Sequence, residues 1–128
     1  MTVDWDWERV VFDHVKLTVR DPAASVSFYR AVLAPLEIPP LWESERGAQF
    51  ANLVVGGGEP GGPIHVAFVA RSREEVDAFH HAGLAAGARD NGAPGVRERY
   101  SSEEGGRYYA AFLLDPDGNN VEAVVREF

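Results

Sequence analysis

The chain contains no cysteine among its 128 residues. This excludes a disulfide framework, a thiolate metal site and a cysteine nucleophile. A reducing compartment would not destabilise such a protein, because it has no disulfide to lose, so we expect a cytoplasmic location. The length fits one domain that can bury a core without covalent cross-links.

Long apolar runs are also missing, and no basic stretch leads into an apolar one at the acidic N-terminus. We therefore expect a soluble protein without a targeting segment or a membrane partner. Basic residues are few: 12 Lys and Arg stand against 20 Asp and Glu, a formal net charge of -8. That balance repels phosphate backbones, so nucleic acid is not an expected partner.

An internal repeat organises the chain. A shift of 51 positions aligns residues 12–34 with residues 63–85 and produces seven identities, where chance would give about two. The pairs are His14/His65, Val15/Val66, Arg20/Arg71, Phe28/Phe79, Ala31/Ala82, Leu33/Leu84 and Ala34/Ala85. Two similar halves therefore dictate the fold, and two histidines occupy matching places in them.

Each half begins with a strand pattern that passes into a helix pattern. Residues 11–19 and 64–69 are rich in β-branched and aromatic side chains. Asp21-Pro22 and Ser72 with Glu75 are typical of helix N-termini. In the first half, residues 41–43 and 48–55 are further strand candidates, and Val96–Arg107 of the second half is a polar segment that could form a lid.

The second half closes with a predicted hairpin of residues 107–114 and 120–125, after turn signals at Asp90-Asn91-Gly92 and Pro94-Gly95. The order is β-α-β-β or β-α-β-β-β, twice. We expect a single domain over residues 1–128, with module one at about residues 9–58, a hinge at 59–63 and module two at about 64–128.

Three strings of residues resemble a known family, the vicinal oxygen chelate superfamily. They are Phe12-Asp13-His14-Val15, Ile64-His65-Val66-Ala67-Phe68 and Ala111-Phe112-Leu113-Leu114-Asp115-Pro116-Asp117-Gly118-Asn119-Asn120-Val121-Glu122. The family includes glyoxalase I, bleomycin- and fosfomycin-resistance proteins, methylmalonyl-CoA epimerase and extradiol dioxygenases. The resemblance spans about Val11 to Glu127, and its last string is the most specific.

The resemblance implies an α+β fold. Two βαβββ modules would pair into an open, barrel-like mixed β-sheet cleft, with the helices on the outer face. It also implies a homodimer that binds a small molecule. His14 on the first strand, His65 on the fifth and Glu122 on the last would be the ligands of a divalent metal ion.

Two imidazoles and one carboxylate can hold one face of an octahedral ion and leave positions open for a substrate with adjacent oxygens. Zn, Ni, Mn, Co and Fe(II) all accept this ligand set. Many glyoxalase I enzymes of the family add an acid where this chain has Gln49-Phe50-Ala51-Asn52-Leu53. Lactoylglutathione lyase activity is therefore not expected, although Gln49 or Asn52 could touch the site through an amide oxygen.

Other side chains are candidates for the cleft. Tyr109 or Tyr108 could donate to a developing oxyanion or act as acid and base, and the alternation of a strand leaves open which one points inward. Lys16 and Thr18 share the face of His14. We expect His80 and His81 at the surface. Trp5 and Trp7 alternate with acids, a pattern that predicts an edge strand.

Three functions stay open at this point. The first is a glyoxalase-like metal-dependent protein that performs lyase, isomerase or group-transfer chemistry on a small oxygen-chelating substrate. The second is an Fe(II) dioxygenase, because two His and one carboxylate are also the ligands of non-haem iron oxygenases. The third is a non-catalytic resistance protein that sequesters a drug or metabolite. Metal content of wild type and of ligand variants would separate the first two from the third.

Overall fold

The computed structural model describes Asp4, Asp6, residues 8–10 and residues 12–128. Within them, eight strands and two α-helices follow the order of two repeated modules. The elements are β1 (Val15–Val19), α1 (Pro22–Leu33), β2 (Pro40–Ser44), β3 (Gly47–Phe50), β4 (Leu53–Gly57), β5 (His65–Val69), α2 (Arg73–Ala85), β6 (Arg89–Val96), β7 (Arg107–Leu114) and β8 (Asn120–Glu127), with short 3₁₀ turns at Ala34–Leu36 and Glu98–Tyr100.

The strands form two four-stranded mixed sheets with the same plan. One sheet has the order β1-β4-β3-β2 and the other β5-β8-β7-β6. In each, the first strand of the module pairs in parallel with the last, and the other pairs are antiparallel. The predicted α+β fold of two βαβββ modules is confirmed. Over the described ranges the two sheets share no hydrogen-bonded strand pair, so no closed barrel forms.

Both helices begin where the sequence predicts. The Asp21 carboxylate accepts a hydrogen bond from the Ala24 backbone N–H at 3.1 Å, and Pro22 opens α1. The Ser72 hydroxyl accepts one from the Glu75 N–H at 3.2 Å. Glu75 does not complete the capping box, because its carboxylate accepts from the backbone N–H of Arg71 instead.

One hydrophobic core serves both modules. The helices α1 and α2 contact each other, and each also packs on its own sheet. Buried residues from both halves belong to one cluster, which includes Val19, Tyr29, Phe50, Val76, Phe79, Leu113 and Val125. Among the described residues the helices cover one face of each sheet, which leaves the opposite face without a helix.

Asp115 joins the two modules through hydrogen bonds to its buried carboxylate. It accepts from the Tyr29 hydroxyl of α1 at 2.6 Å and from the Asn119 amide at 2.9 Å. Asn119 in turn accepts from the Ile64 N–H, just before β5, at 2.9 Å. The neighbouring Asp117 pairs with Arg20, which follows β1. The Asp-Pro-Asp-Gly-Asn string that carries the family resemblance is thus a connection between the halves.

Several strand boundaries differ from the sequence expectations. Residues 89–96 form strand β6 despite their turn signals, because the strand is irregular: its pairing with β7 shifts register on both sides of Gly92. Residues 48–55 form two antiparallel strands, with Ala51 in a left-handed conformation (φ 51°) at the turn between them. The first strand begins at Val15, one residue after His14.

Two further expectations concern the N-terminal tryptophans and membrane-spanning helices. Trp5 and Trp7, predicted in an edge strand, lie outside the described residues. In the portion that the structure describes, none of the helices has the length and apolar character needed to cross a membrane.

Candidate active site

The helix-free face of the second sheet brings together His65, Glu122 and Tyr108. Alternation along β8 turns Val121 and Ala123 into the core and Glu122 to the opposite face. His65 Nε2 lies 2.6 Å from Glu122 Oε1, and the Tyr108 hydroxyl donates to Glu122 Oε2 at 2.5 Å. Three strands, β5, β7 and β8, therefore supply one hydrogen-bonded cluster.

Glu122 is the buried member of this cluster. Its side chain is 2 % exposed, whereas the His65 side chain is 51 % exposed. Both carboxylate oxygens have partners, which offsets the cost of burying a charge. Burial and the hydrogen bond to Glu122 raise the pKa of Tyr108 above its usual value. The phenol consequently stays protonated and acts as a donor to the carboxylate.

Tyr109 points to the other side of the sheet. Its hydroxyl donates to Asp77 of α2 at 2.6 Å, and the Arg73 guanidinium lies over its ring at 4.5 Å. The hydrogen bond to Asp77, with some burial, raises the pKa of Tyr109 as well. Of the two tyrosines that the sequence leaves open, the structure brings only Tyr108 to Glu122.

His14 lies apart from this cluster, at the start of the first sheet. It is exposed, and its Nδ1 is 2.7 Å from the carboxylate of Asp13. By alternation it shares the helix-free face of its sheet with Lys16 and Thr18, because Leu17 and Val19 enter the core. No three His, Asp or Glu side chains converge on a possible metal position in the described part of one chain. The structure thus brings together two of the three predicted ligands.

The amides proposed near the site have other roles. Gln49 accepts from the Trp42 indole N–H at 2.9 Å and donates to the Ala51 carbonyl at 2.9 Å. Asn52 lies exposed in the β3–β4 turn, where its backbone carbonyl accepts from the Val15 N–H. Both side chains belong to the first sheet, and neither contacts His65 or Glu122 by a hydrogen bond within the described ranges.

The two histidines predicted at the surface differ. His81 is exposed, as expected. The prediction for His80 is wrong: its residue is 7 % exposed, and its Nε2 lies 2.9 Å from Asp90 Oδ1 at the start of β6. Strand β6, which contains the turn signals of residues 90–95, packs against α2 and covers this histidine. The hydrogen bond from the Gly92 N–H, followed by that from His80, lowers the pKa of Asp90.

A cavity of about 520 Å³ surrounds the cluster and contains residues that sequence reasoning missed. Phe112 and Arg126 line it beside Tyr108, because all three share the helix-free face. The alternation of β7 and β8, anchored at Glu122, could have identified them. Tyr100 also lines the cavity, but it comes from the irregular segment 97–106, where no period predicts a direction.

Comparisons with known proteins agree with this architecture. The model of the Glyoxalase/Bleomycin resistance protein/Dioxygenase superfamily matches residues 11–123. Among solved structures, a glyoxalase/bleomycin resistance protein from Albidiferax ferrireducens is 33 % identical, with 90 % of this chain and 98 % of that chain covered and a TM-score of 0.74. A putative glyoxalase from Bacillus halodurans is 25 % identical, with 89 % and 94 % covered and a TM-score of 0.65.

A more distant neighbour shows the fold alone. It is a structure named lactoylglutathione lyase, from Agrobacterium tumefaciens, at 18 % identity, with 91 % of this chain and 92 % of that chain covered and a TM-score of 0.63. No curated protein matches the chain. The family match over most of the chain, the two βαβββ modules and the solved structure at 33 % identity together show that this chain belongs to the Glyoxalase/Bleomycin resistance protein/Dioxygenase superfamily.

Proposed function

We propose that this chain is a glyoxalase-like metal-dependent protein that acts on a small substrate with adjacent oxygens, by lyase, isomerase or group-transfer chemistry. The observation that carries the proposal is the His65–Glu122 pair at 2.6 Å in an open cavity. An imidazole and a carboxylate are the donor types that divalent Zn, Ni, Mn, Co and Fe accept. When bound, such an ion would act as a Lewis acid on substrate oxygens.

His14 remains the proposed third ligand. Since it lies on the other sheet of the chain, we place it in the site of a second copy. The helix-free face of the first sheet in one protomer would cover the helix-free face of the second sheet in the other, and the arrangement repeats by symmetry. Support comes from the exposure of His14 and His65 on those two faces. The homodimer would therefore be required for a complete ligand set.

Tyr108 is the proposed acid–base residue of the site. Its hydroxyl donates to Glu122 at 2.5 Å, which places this donor beside the proposed ligands, where it could donate a hydrogen bond to a developing oxyanion. Tyr109 could not serve the same site, because its hydroxyl is engaged by Asp77 on the other side of the sheet. Glutathione-dependent lyase chemistry is not part of the proposal, since no acid occurs in residues 49–53.

Metal content tests the ligand assignment. Untagged protein should carry about one divalent ion per chain by elemental analysis, and His14→Ala, His65→Ala and Glu122→Ala should each lose most of it. His81→Ala is the matched control, because this histidine is exposed on α2 and belongs to no cluster. Equal trace metal in wild type and all variants would contradict the proposal.

A mixed dimer tests where His14 acts. His14→Ala and Glu122→Ala chains with different affinity tags, removed after purification, would be co-expressed and isolated as heterodimers. If sites form between chains, one of the two sites is intact, and the heterodimer holds about half of the wild-type metal. If His14 acts within its own chain, both sites are damaged and the metal is lost. A monomer in light scattering would also overturn the shared site.

The two other readings predict different results with the same samples. An Fe(II) dioxygenase would consume O₂ with a substrate, whereas lyase or isomerase chemistry proceeds without it. A sequestering protein would bind its ligand equally well after treatment with a chelator and would carry no stoichiometric metal. A cytoplasmic location stays a prediction from the lack of cysteine.

A further inference from the structure

The cavity around Glu122 has aromatic walls. The rings of Tyr100 and Tyr108 pack with centroids 5.4 Å apart, and those of His65 and Phe112 with centroids 6.3 Å apart. The volume of about 520 Å³ is within the range of small-molecule sites. Such walls favour a flat ligand, because ring faces and edges stack best on planar partners.

Two guanidinium groups lie against these rings. Arg126 is over the Tyr108 ring at 4.9 Å, and Arg97 is over the Phe112 ring at 5.3 Å. Arg97 donates to the carbonyls of Gly95 and Ala93, and Arg126 donates only weakly, at 3.3 Å, to the Gly105 carbonyl. Arg126 lines the cavity, and Arg97 lies over the ring of Phe112, which also lines it.

The two arginines that lie against the cavity rings have no acidic partner, unlike four other arginines of the chain. Over the residues that the structure describes, neither Arg97 nor Arg126 forms an ion pair with a carboxylate. Four other arginines do so: Arg20, Arg30, Arg71 and Arg73. In a protein of net charge -8, one guanidinium free of carboxylates in the cavity lining and a second over the Phe112 ring create a local positive field that attracts anions.

The charges also orient such an anion. Glu122 is the single carboxylate among the described residues that line the cavity. Along β8 it lies two positions nearer to the His65 end than Val124 does, and four positions nearer than Arg126 does. Four residues of a strand span about 13 Å. Repulsion from Glu122 and attraction to Arg126 would place the negative group at the Arg126 end, and the rest of the ligand would then extend toward His65.

We propose that the cavity binds a planar aromatic carboxylate, with its carboxylate on Arg126 and the far edge of its ring toward His65 and Glu122. The guanidinium fork matches a carboxylate in two parallel hydrogen bonds, and the aromatic walls accept the ring. This inference rests on the proposed function in treating the cavity as the substrate site, and it adds the class of substrate.

The test uses three probes of one shape with the dimeric protein. These are 4-hydroxybenzoate, the neutral 4-hydroxybenzyl alcohol and the non-planar trans-4-hydroxycyclohexanecarboxylate, titrated by calorimetry or by NMR shifts. We expect 4-hydroxybenzoate to bind about tenfold more tightly than each of the others, since one charge-assisted contact or one stacked ring has about that effect. Higher salt should weaken only the two anions.

Variants identify the residues. Arg126→Gln should reduce the affinity for 4-hydroxybenzoate about tenfold and leave 4-hydroxybenzyl alcohol unchanged, while Phe112→Leu should abolish the preference for the planar acid. Arg46→Gln is the matched control, because Arg46 is an exposed arginine in the β2–β3 turn, far along the chain from the cavity. Thermal melts of every variant exclude unfolding as the cause.

The outcomes separate this proposal from the metal assignment. Equal binding of acid and alcohol, no binding of 4-hydroxybenzoate at millimolar concentration, or an unchanged affinity in Arg126→Gln would overturn the aromatic carboxylate. Each titration is repeated on protein treated with a chelator, and the metal content of Arg126→Gln is measured. If untagged wild type carries only trace metal as purified and still binds 4-hydroxybenzoate selectively, the proposed metal function is refuted and this inference stays intact.

Discussion

Glu122 is a charged residue inside a sheet, and its neighbours explain how the fold tolerates it. One carboxylate oxygen faces His65 and the other accepts from Tyr108. Removal of one partner from a buried carboxylate leaves an oxygen without compensation for its lost hydration. The donors around Glu122 are therefore part of the stability of the second module as well as of its chemistry.

Tyr108→Phe should lower the free energy of unfolding by about 1–2 kcal/mol, because Glu122 loses the hydroxyl donor while the ring volume stays nearly constant. Urea denaturation measures this difference. Tyr109→Phe is the matched control: it removes a hydroxyl of the adjacent residue whose bond to Asp77 is exposed, so its effect should be smaller. A larger loss for Tyr109→Phe than for Tyr108→Phe would show that the Glu122 bond carries little stability.

Some residues of the site can be predicted from the sequence and others cannot, and the reason differs from residue to residue. Glu122 and His65 follow from recognisable strings, and the structure brings them together. The choice between Tyr108 and Tyr109 requires the register of β7 on β8, in which Tyr108 opposes Arg126. The sequence alone leaves that register open. His14 differs again: in the proposed site it would act on a second chain, and the contacts of one chain do not include that position.

At the scale of elements, the close approach of α2 to β7 depends on Gly83. This glycine is buried in the helix, and a Cβ atom built there would lie 2.2 Å from a methyl carbon of Leu113. Helix propensity would favour alanine at the position by about 1 kcal/mol. The contact with Leu113 opposes that gain, because a well-packed core has little room to yield.

Gly83→Ala should therefore destabilise the protein by about 1–3 kcal/mol despite its better helix propensity. The measurement is the free energy of unfolding in a double-mutant cycle with Leu113→Ala, which removes the clashing methyl groups. In that background Gly83→Ala should cost much less or stabilise the protein. If the two substitutions are additive, the contact between α2 and β7 is not the cause.

Element boundaries were predicted well where local signals are strong and poorly where tertiary pairing decides. The N-caps Asp21 and Ser72 mark their helices correctly because the cap is a local hydrogen bond. The position of strand β6 does not follow from its local sequence, since Asn91-Gly92 and Pro94-Gly95 favour turns on their own. Pairing with β7 overrides that preference by accommodating Gly92 between two register shifts.

For the whole molecule, the shared core implies that the two modules are stabilised together. Tyr29 of the first module lies in that core and donates to Asp115 of the second. Burial, followed by the charge and hydrogen bond of Asp115, raises the pKa of Tyr29 well above its usual value. The folded chain therefore keeps the Tyr29 proton at a pH where the unfolded chain releases it.

This difference predicts a loss of stability in alkaline solution. The contribution of Tyr29 is fully present below about pH 10, the ordinary pKa of a tyrosine, and declines above it by about 1.4 kcal/mol per pH unit. Tyr29→Phe should be less stable at neutral pH, because Asp115 loses a donor, yet its stability should fall less steeply from about pH 10 to about pH 11. Urea denaturation across this range measures both slopes, and parallel slopes would contradict the assignment.

The repeat and the two-module architecture could be predicted from the sequence because they appear as identities at a fixed shift of 51 residues. The packing of α1 on α2 could not. Apolar stripes at Val26, Tyr29 and Leu33, and at Val76, Phe79 and Leu84, predict which helix faces are buried. For Leu84 this prediction is wrong, because it is 44 % exposed near the end of α2. The stripes do not indicate whether each helix packs on its own sheet alone or also on the other helix. Only the three-dimensional packing shows that the two helices contact each other.

The contact between α1 and α2 has an evolutionary consequence. If the halves arose by duplication of one ancestral module, selection acted on them under two different constraints. Phe28 and Phe79 are both buried in the common core and remain identical, as do Ala31 and Ala82 in the same helices. A change on one helix must suit the other copy. On the helix-free sheet faces, Lys16 and Thr18 align with Ala67 and Val69 and have diverged, whereas His14 and His65 stayed identical. New specificities would therefore arise on the sheets while the helices conserve the ancestral pairing.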